Sequence, residues 1–319
     1  MLQENYLFKV RVICMTFNHE RYILDAMNSF VMQQTNFPFV CTIVDDASTD
    51  ETPSIIKHFL EEHFDLADNV IVRQEETKDY VLSYARHKTN LNCFFAVYFL
   101  KYNHYSIKKS RAPYYQEFTD TRYVAVNEGD DYWVDPLKLQ KQYDLMEAHL
   151  EFSMCFHANY ELLPNGEKIV HRPTVNKSSY TPEDAILGGG GFMATNSMFN
   201  RSEYLRREQL PDFWRNCPIG DLPSMLYFAS KGNLGYIDDV MSVYRIQAQG
   251  SWTSKQKTLS IRTKHLKAIQ RMFDEFDKYT NFQYHDAVVR KKRYNKKVHR
   301  MDVLLTILSK IKKIFQIAK

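Results

Sequence analysis

Short, continuously apolar runs alternate with segments of helical spacing along the first third of the chain. Val10 to Met15 (VRVICM) reads as a buried strand, closed by the polar Thr16-Phe17-Asn18-His19. Tyr22, Ala26, Met27, Phe30 and Val31 then recur at helical spacing up to Gln34. Phe39 to Val44 (FVCTIV) is a second strand, too uniformly apolar to be half exposed, and it ends in Asp45-Asp46. Thr52-Pro53 offers an N-cap and a first-turn proline for a helix carrying Ile55, Ile56, Phe59 and Leu60, and Val70-Ile71-Val72 reads as a third strand. Apolar strands alternating with helices predict an α/β fold whose parallel sheet is covered on both faces.

From Gln74 to about Thr121 the pattern breaks up and reads as helix plus long loops. Arg122 to Val126 (RYVAV) is a further strand, running into Asn127-Glu128-Gly129-Asp130-Asp131-Tyr132-Trp133. Asp135-Pro136 opens a helix with Leu139, Tyr143 and Met146 on one face. A strand at Phe152 to Phe156, a hairpin at Pro164-Asn165-Gly166 and a tetraglycine at Gly188 to Gly191 follow. Asp221 to Ser230 is expected to be helical, and Gly235 to Arg245 to form paired strands. No internal repeat interrupts this order. At 319 residues the chain can bury a sizeable core as one α/β domain with an appendage.

The net charge of +4 conceals an asymmetry. Eleven Lys and Arg lie between Arg290 and Lys319 against one acid, Asp302, so the tail carries +10 and the remainder −6. Met301, Leu304, Leu305, Leu308, Ile311 and Phe315 fall on one helical stripe of that tail, with Lys310, Lys312 and Lys313 mostly off it. A basic amphipathic helix of this kind suits an anionic membrane interface, and equally a helix packed on the domain or on a second copy in a homodimer. No nucleic-acid module accompanies it, so no nucleic-acid partner is expected. The five scattered cysteines lack CxxC spacing and read as core residues of a reducing compartment. No apolar run reaches the roughly 18 residues of a spanning helix and no signal-peptide core opens the chain, so the expected location is the cytoplasm, at most on the inner face of the cell membrane.

Two strands each end in adjacent carboxylates, Asp45-Asp46 and Asp130-Asp131. In open α/β sheets ligands collect beyond the carboxyl ends of the strands, so these side chains are expected in one crevice. Clustered carboxylates repel unless a cation lies between them, and Mg²⁺ or Mn²⁺ bridging to phosphate oxygens is the natural filler. Each pair taken singly is also compatible with a solvated turn or a helix cap. The eleven histidines show no zinc-site spacing.

Three motifs now carry a resemblance. VRVICMTFNHERYILDAMNSFVMQQ with FVCTIVDDASTDET resembles the start of family-2 glycosyltransferases; YVAVNEGDDYWVDPLKLQKQ resembles that family's second aspartate motif, in the variant of bacterial polysaccharide-synthesis enzymes; GDLPSMLYFASKGNLGYIDDVMSVYRI resembles the segment holding the catalytic base. The resemblance covers residues 8 to 132 in pieces and 192 to 252 more loosely. It implies a GT-A (Rossmann-like) fold over 1–255, with a nucleotide-binding half to about 132, an acceptor half from 133, and a basic helical extension over 256–319.

It further implies an inverting, metal-dependent transfer of a sugar from a nucleotide-sugar, commonly UDP-linked, to a saccharide or lipid-linked acceptor. Thr16 and Asp46 match positions that hold the nucleoside, Asp130 the acid near the ribose, Asp131 the metal ligand, and Asp221 the general base. Phe192 to Asn200 resembles the acceptor lining, with Asn196 and Ser197 facing the sugar. Lys108, Lys109 or Arg111 could meet the diphosphate, and Trp133 could stack on a sugar or simply pack. The chemistry agrees, because inversion needs a carboxylate opposite the leaving group and a cation for the departing diphosphate. By its own sequence Asp221 is also a good N-cap before Leu222-Pro223. Two positions depart from the pattern: Met15 replaces a proline, and Gln247 stands where a histidine often completes the metal site. Gln247 keeps open a non-catalytic nucleotide-sugar or glycan-binding protein of the same fold. A nucleotidyltransferase would need a glycine-rich phosphate loop that MTFNHERY lacks.

Overall fold

The computed structural model describes residues 7–67, 72–116, 120–205, 210–246 and 258–317, with the side chains of the last helix described through Thr306 and at Leu308. The chain opens with β1 (Phe8–Thr16), α1 (Ile23–Val31), β2 (Phe39–Asp45) and α2 (Thr52–His63). Then come β3 (Arg73–Glu76), β4 (Tyr80–Arg86), β5 (Cys93–Leu100), α3 (Ala112–Gln116), β6 (Thr121–Glu128) and β7 (Tyr132–Trp133). The second half holds α4 (Lys138–Ala148), β8 (Phe152–Leu162), β9 (Lys168–His171), β10 (Ser179–Tyr180), α5 (Pro182–Gly188) and β11 (Phe199–Arg201). It continues through α6 (Asp212–Arg215), α7 (Asp221–Ala229), β12 (Asn233–Arg245), α8 (Leu259–Tyr279) and α9 (His285–Ile317).

One twelve-stranded sheet runs β10-β12-β8-β11-β6-β1-β2-β5-β4-β3, with β7 on β12 and β9 on β8. Its centre, β6-β1-β2-β5, is parallel. Every residue of β2 is buried, as its uninterrupted apolar run requires of a strand covered on both faces. The register sets Thr16 beside Asp45 and Met15 beside Glu128, so the carboxyl ends of β1, β2 and β6 form one edge. That mixed sheet, mostly parallel at its centre and flanked by helices, is the α/β architecture expected from the sequence.

The segment expected to be helix and loops differs. It contains β3, β4 and β5, and CFFAVYFL of β5 extends the parallel centre beyond β2. Its aromatic and β-branched content favours a strand, and it is buried from Phe95 to Leu100. The third strand expected at Val70-Ile71-Val72 lies mostly outside the described residues, and β3 begins at Arg73, antiparallel to β4. Gly235 to Arg245 is part of one long strand, β12, parallel to β8. Thr52 begins α2 inside its first turn rather than capping it: Glu51 is the cap, and Thr52 Oγ1 accepts the backbone N–H of His19 at 2.8 Å.

Three cores cover the sheet. One is a small cluster in which Leu82, Ala96 and Tyr98 meet Tyr114 of α3. Of the two larger ones, the first joins the parallel strands to α1, α2 and α4, with Phe30 edge-on to Trp133 at 4.9 Å. Truncating such a ring costs roughly 3–5 kcal/mol. The second lies among β8, β12, α5, α7 and α8, and takes in Ala287 and Val288 of α9. The C-terminal helices thus begin packed on the core around β8 and β12, one of the placements the sequence left open.

Candidate active site

Glu128, Asp130 and Asp131, at and just beyond the end of β6, each offer a carboxylate oxygen within 4.8 Å of the others. Asp131 is buried; its Oδ1 accepts the backbone N–H of Arg245 at 2.8 Å, and its Oδ2 has no hydrogen-bond partner among the described residues. Burial, then Asp130 and Glu128, push its carboxyl well above the usual carboxylate range, and Arg245 only partly opposes this. The Glu128 side chain opens to solvent yet is crowded by surrounding protein. That crowding, then Asp130 and Asp221, push its carboxyl up to about 7. A buried acid with an unbonded oxygen among like charges is costly unless a cation supplies the missing partner. The donor set, carboxylate oxygens only, fits a hard divalent ion of the Mg²⁺ or Mn²⁺ type.

Gly129 explains how the turn closes. A Cβ there would come within 2.7 Å of Thr16 Oγ1 and 2.8 Å of His19 Nδ1. Both atoms are buried without a hydrogen-bond partner among the described residues, so the β1 turn presents two further orphaned polar atoms beside the acids. Burial lowers the His19 imidazole despite the pull of Asp130. Arg245, at the end of β12, locks the turn from the other side. Its guanidinium donates to the Asp130 carbonyl at 2.5 Å and to Asp25, between the rings of Tyr22 and Tyr132.

The acids after β2 are differently used. Asp46 is buried, and its carboxylate accepts the backbone N–H groups of His104 at 2.7 Å and Tyr105 at 3.1 Å, with Arg111 at 3.4 Å. Asp45 accepts from the Ser48 hydroxyl, and burial pushes its carboxyl up to about 6 against that bond. The 103–111 segment is thereby pinned above the carboxyl end of β2. Lys108 stands exposed on it, and Arg111 is half-buried over the Tyr105 ring. Lys109 pairs instead with Asp79 at 3.2 Å and Tyr102.

Asp221 starts α7 with Gly220 as the cap residue and no side-chain capping bond. The capping alternative is therefore not realised. Its carboxylate lies in the first turn, where the helix dipole stabilises negative charge, and its charge helps to raise the Glu128 carboxyl.

Three expected acceptor residues sit behind the crevice rather than in it. Asn196 is fully buried, donating to the Val243 carbonyl at 2.9 Å and accepting from Ser242 at 2.8 Å. The Ser197 hydroxyl donates to the Ala194 carbonyl at 2.6 Å. Trp133 is buried, donating to the Asn196 carbonyl with Lys138 over its ring at 4.1 Å, which realises the packing alternative. Gln247 lies outside the described residues. Glu128, Tyr244 and Arg245 were missed by the sequence reading. Glu128 directly precedes Gly129-Asp130-Asp131 and was legible from that adjacency. Tyr244, whose phenol is pushed up by burial and then by Asp131 and Glu128, reaches the site only through the fold.

Part of the sequence and the fold are similar to known glycosyltransferases. Residues 11–93 match the family model Glycosyl transferase family 2. The uncharacterized proteins Mb1547 of Mycobacterium bovis and Rv1520 of Mycobacterium tuberculosis are 31% identical over 243 residues, 76% of this chain. The chain spans 60% of the length of those relatives. Among solved structures, S. aureus TarS 1-349 superposes with a TM-score of 0.53 at 13% identity, covering 92% of each chain. Mannosyltransferase PcManGT from Pyrobaculum calidifontis, in complex with GDP-Man and Mn²⁺, gives 0.53 at 15% identity, covering 97% of this chain and 81% of its own. The fold is that of the GT-A glycosyltransferases, and the segment matching the family-2 model runs from β1 to the start of β5, carrying the Asp45-Asp46 pair of the crevice.

Proposed function

We propose that this chain is an inverting, metal-dependent glycosyltransferase. It moves a sugar from a nucleotide-diphosphate sugar, UDP-linked, to a hydroxyl of a saccharide or lipid-linked saccharide in cell-surface polysaccharide synthesis. The observation that carries this reading is the Glu128, Asp130 and Asp131 cluster with its unbonded Asp131 oxygen, whose Glu128 carboxyl is raised in part by Asp221. The family-2 match over β1 to β5 and the GT-A neighbours support the same reading.

Thr16 and Asp130 hold the nucleoside beside Gly129. Asp46 contributes through the loop it anchors, which brings Lys108 and Arg111 to the diphosphate. A divalent cation held by Asp131, with Asp130 and Glu128, would neutralise charge on the departing diphosphate. Asp221 takes the proton of the acceptor hydroxyl as its oxygen bonds to the anomeric carbon, while the bond from that carbon to the phosphate oxygen breaks. Attack opposite the leaving group inverts the configuration. Asn196, Ser197 and Trp133 shape the acceptor side from behind.

Turnover of a panel of nucleotide-sugars and acceptors, with and without Mn²⁺, tests this. Asp221→Asn is expected to lower kcat by about 10³-fold with UDP affinity retained. Absence of turnover across the panel, with UDP still bound, would favour the non-catalytic binding reading.

No helix among the described residues is long and apolar enough to cross a membrane. Peripheral contact with an anionic inner membrane face is supported by exposed Met301, Leu304, Leu305 and Leu308 on α9, which follow exposed Arg293, Lys297 and Arg300 along the helix. Flotation with anionic vesicles should recover full-length protein and lose a Leu304→Lys, Leu308→Lys variant. Equal recovery removes the idea.

A further inference from the structure

The pairing of the sheet brings Arg245 to the acidic turn. β12 runs antiparallel to β7 with Val243 opposite Tyr132, so the next residues of β12 lie beside Asp131 and Asp130. The Arg245 backbone N–H donates to Asp131 Oδ1 at 2.8 Å, and its guanidinium donates to the Asp130 carbonyl at 2.5 Å. A guanidinium beside clustered carboxylates ordinarily takes one of them in a bidentate pair, because its planar fork matches the two oxygens. Glu128, Asp130 and Asp131 offer three, with oxygens within 4.8 Å of one another. Among the described residues Arg245 forms an ion pair with none of these acids. Its partner is Asp25, 220 residues away in the chain and apart from both aspartate motifs.

Asp25 lies in the first turn of α1, on its solvent side, while Ala26, Met27 and Phe30 enter the core. Its side chain is 53% exposed, and that of Arg245 is 12% exposed. The Tyr22 and Tyr132 rings stand against the guanidinium at 5.0 and 4.5 Å, and fix it between the Asp130 carbonyl and Asp25. Asp131 Oδ2 keeps no hydrogen-bond partner among the described residues, although a cation with five donors is close by. An ion pair with a half-exposed acid contributes little to stability. Stability is therefore a poor account of this pair.

We propose that Asp25 and Arg245 are positioning residues for the cation site. Asp25 draws the guanidinium aside, so that Arg245 braces the turn through the Asp130 carbonyl and leaves the carboxylates open to a divalent ion. Without Asp25 the guanidinium turns onto Asp130 or Asp131 and competes with the ion for their oxygens. Neither residue touches the reacting atoms. This inference rests on the metal-dependent reading, and adds to it an internal competitor that α1 holds off.

Mn²⁺ titration of full-length protein in the presence of UDP, followed by electron paramagnetic resonance of the free ion, tests this in two backgrounds. With Arg245 in place, Asp25→Ala and Asp25→Asn should each weaken Mn²⁺ binding about tenfold, and Asp25→Glu should bind it like wild type. In an Arg245→Met background, which keeps an apolar stem between the tyrosine rings, adding Asp25→Ala should change binding by about twofold or less. Arg245→Gln gives the same comparison with a neutral side chain that can still donate to the Asp130 carbonyl. The Tm of each metal-free variant reports folding, and Asp25→Ala should stay within about 3 °C of wild type. An equal loss in both backgrounds would overturn the proposal, since Asp25 would then act on the ion by its own charge. Unfolding of both Arg245 variants would overturn it too, by making that residue a brace of the fold. If wild-type protein binds Mn²⁺ and Asp25→Ala binds it equally well, the positioning assignment falls by itself; if wild-type protein binds none, the metal-dependent reading falls with it.

Discussion

The two acid pairs of this sheet look alike in sequence and differ in the fold. Asp45-Asp46 and Asp130-Asp131 both follow apolar parallel strands, yet protein donors satisfy both oxygens of Asp46 in the first pair and leave Asp131 in the second beside its own repelling neighbours. Asp46 takes two backbone N–H groups and Arg111, so its charge is spent on holding the 103–111 loop. Asp131 keeps one oxygen unbonded beside two other carboxylates. A satisfied buried acid is a structural brace, whereas an unsatisfied one is strained until something positive arrives. The position of an acid after a strand marks the crevice, and its hydrogen bonds decide its work there.

Substitutions that remove one acid at a time separate these roles. The largest effect is expected at Asp131. Asp131→Asn should lower metal-dependent turnover by about 10⁴-fold, on the order of 5 kcal/mol. It should simultaneously raise the Tm of the metal-free protein, because a like charge has been removed. A fall in both would make Asp131 a brace like Asp46. Asp46→Ala should instead destabilise the fold by roughly 3–5 kcal/mol in urea melts, since it strands two amides and Arg111. Stability unchanged by this substitution would erase the contrast.

The smallest effect is a pH slope at Asp45. Its carboxyl is raised to about 6 in the folded protein, so the folded state holds that proton more tightly than the unfolded chain. The stability this group contributes is therefore greatest below about pH 4 and is lost as pH rises towards 6, by ~3 kcal/mol. Glu128 and Asp131 are shifted in the same direction, so the comparison is with Asp45→Asn, which should flatten part of the slope. Identical slopes in urea melts between pH 4 and 7 would contradict the assignment.

Much of this was legible before the fold was seen, for physical reasons. Continuous apolar runs made β1, β2 and β6 readable, and with them the acids at their ends, because burial on both faces excludes polar residues. The region from Gln74 to Thr121 was not, although CFFAVYFL is as apolar as β2. Its neighbours β3, polar throughout, and β4, only partly buried, are antiparallel, and they blurred the alternation of strand and helix. Asn196 and Ser197 were placed at the acceptor by motif alone, and motif does not say whether an amide faces a ligand or the Val243 carbonyl. Arg245, 114 residues from Asp131 in the chain, could be joined to it only by the pairing of β12 and β7.

The central claim is that the acids after β6, and not those after β2, hold the cation. Mn²⁺ titration in the presence of UDP, followed by electron paramagnetic resonance of the free ion, measures this directly. Wild-type protein and Asp45→Asn should bind one Mn²⁺ alike, and Asp131→Asn should bind it at least about tenfold more weakly. Unaltered Mn²⁺ binding by Asp131→Asn would contradict the account.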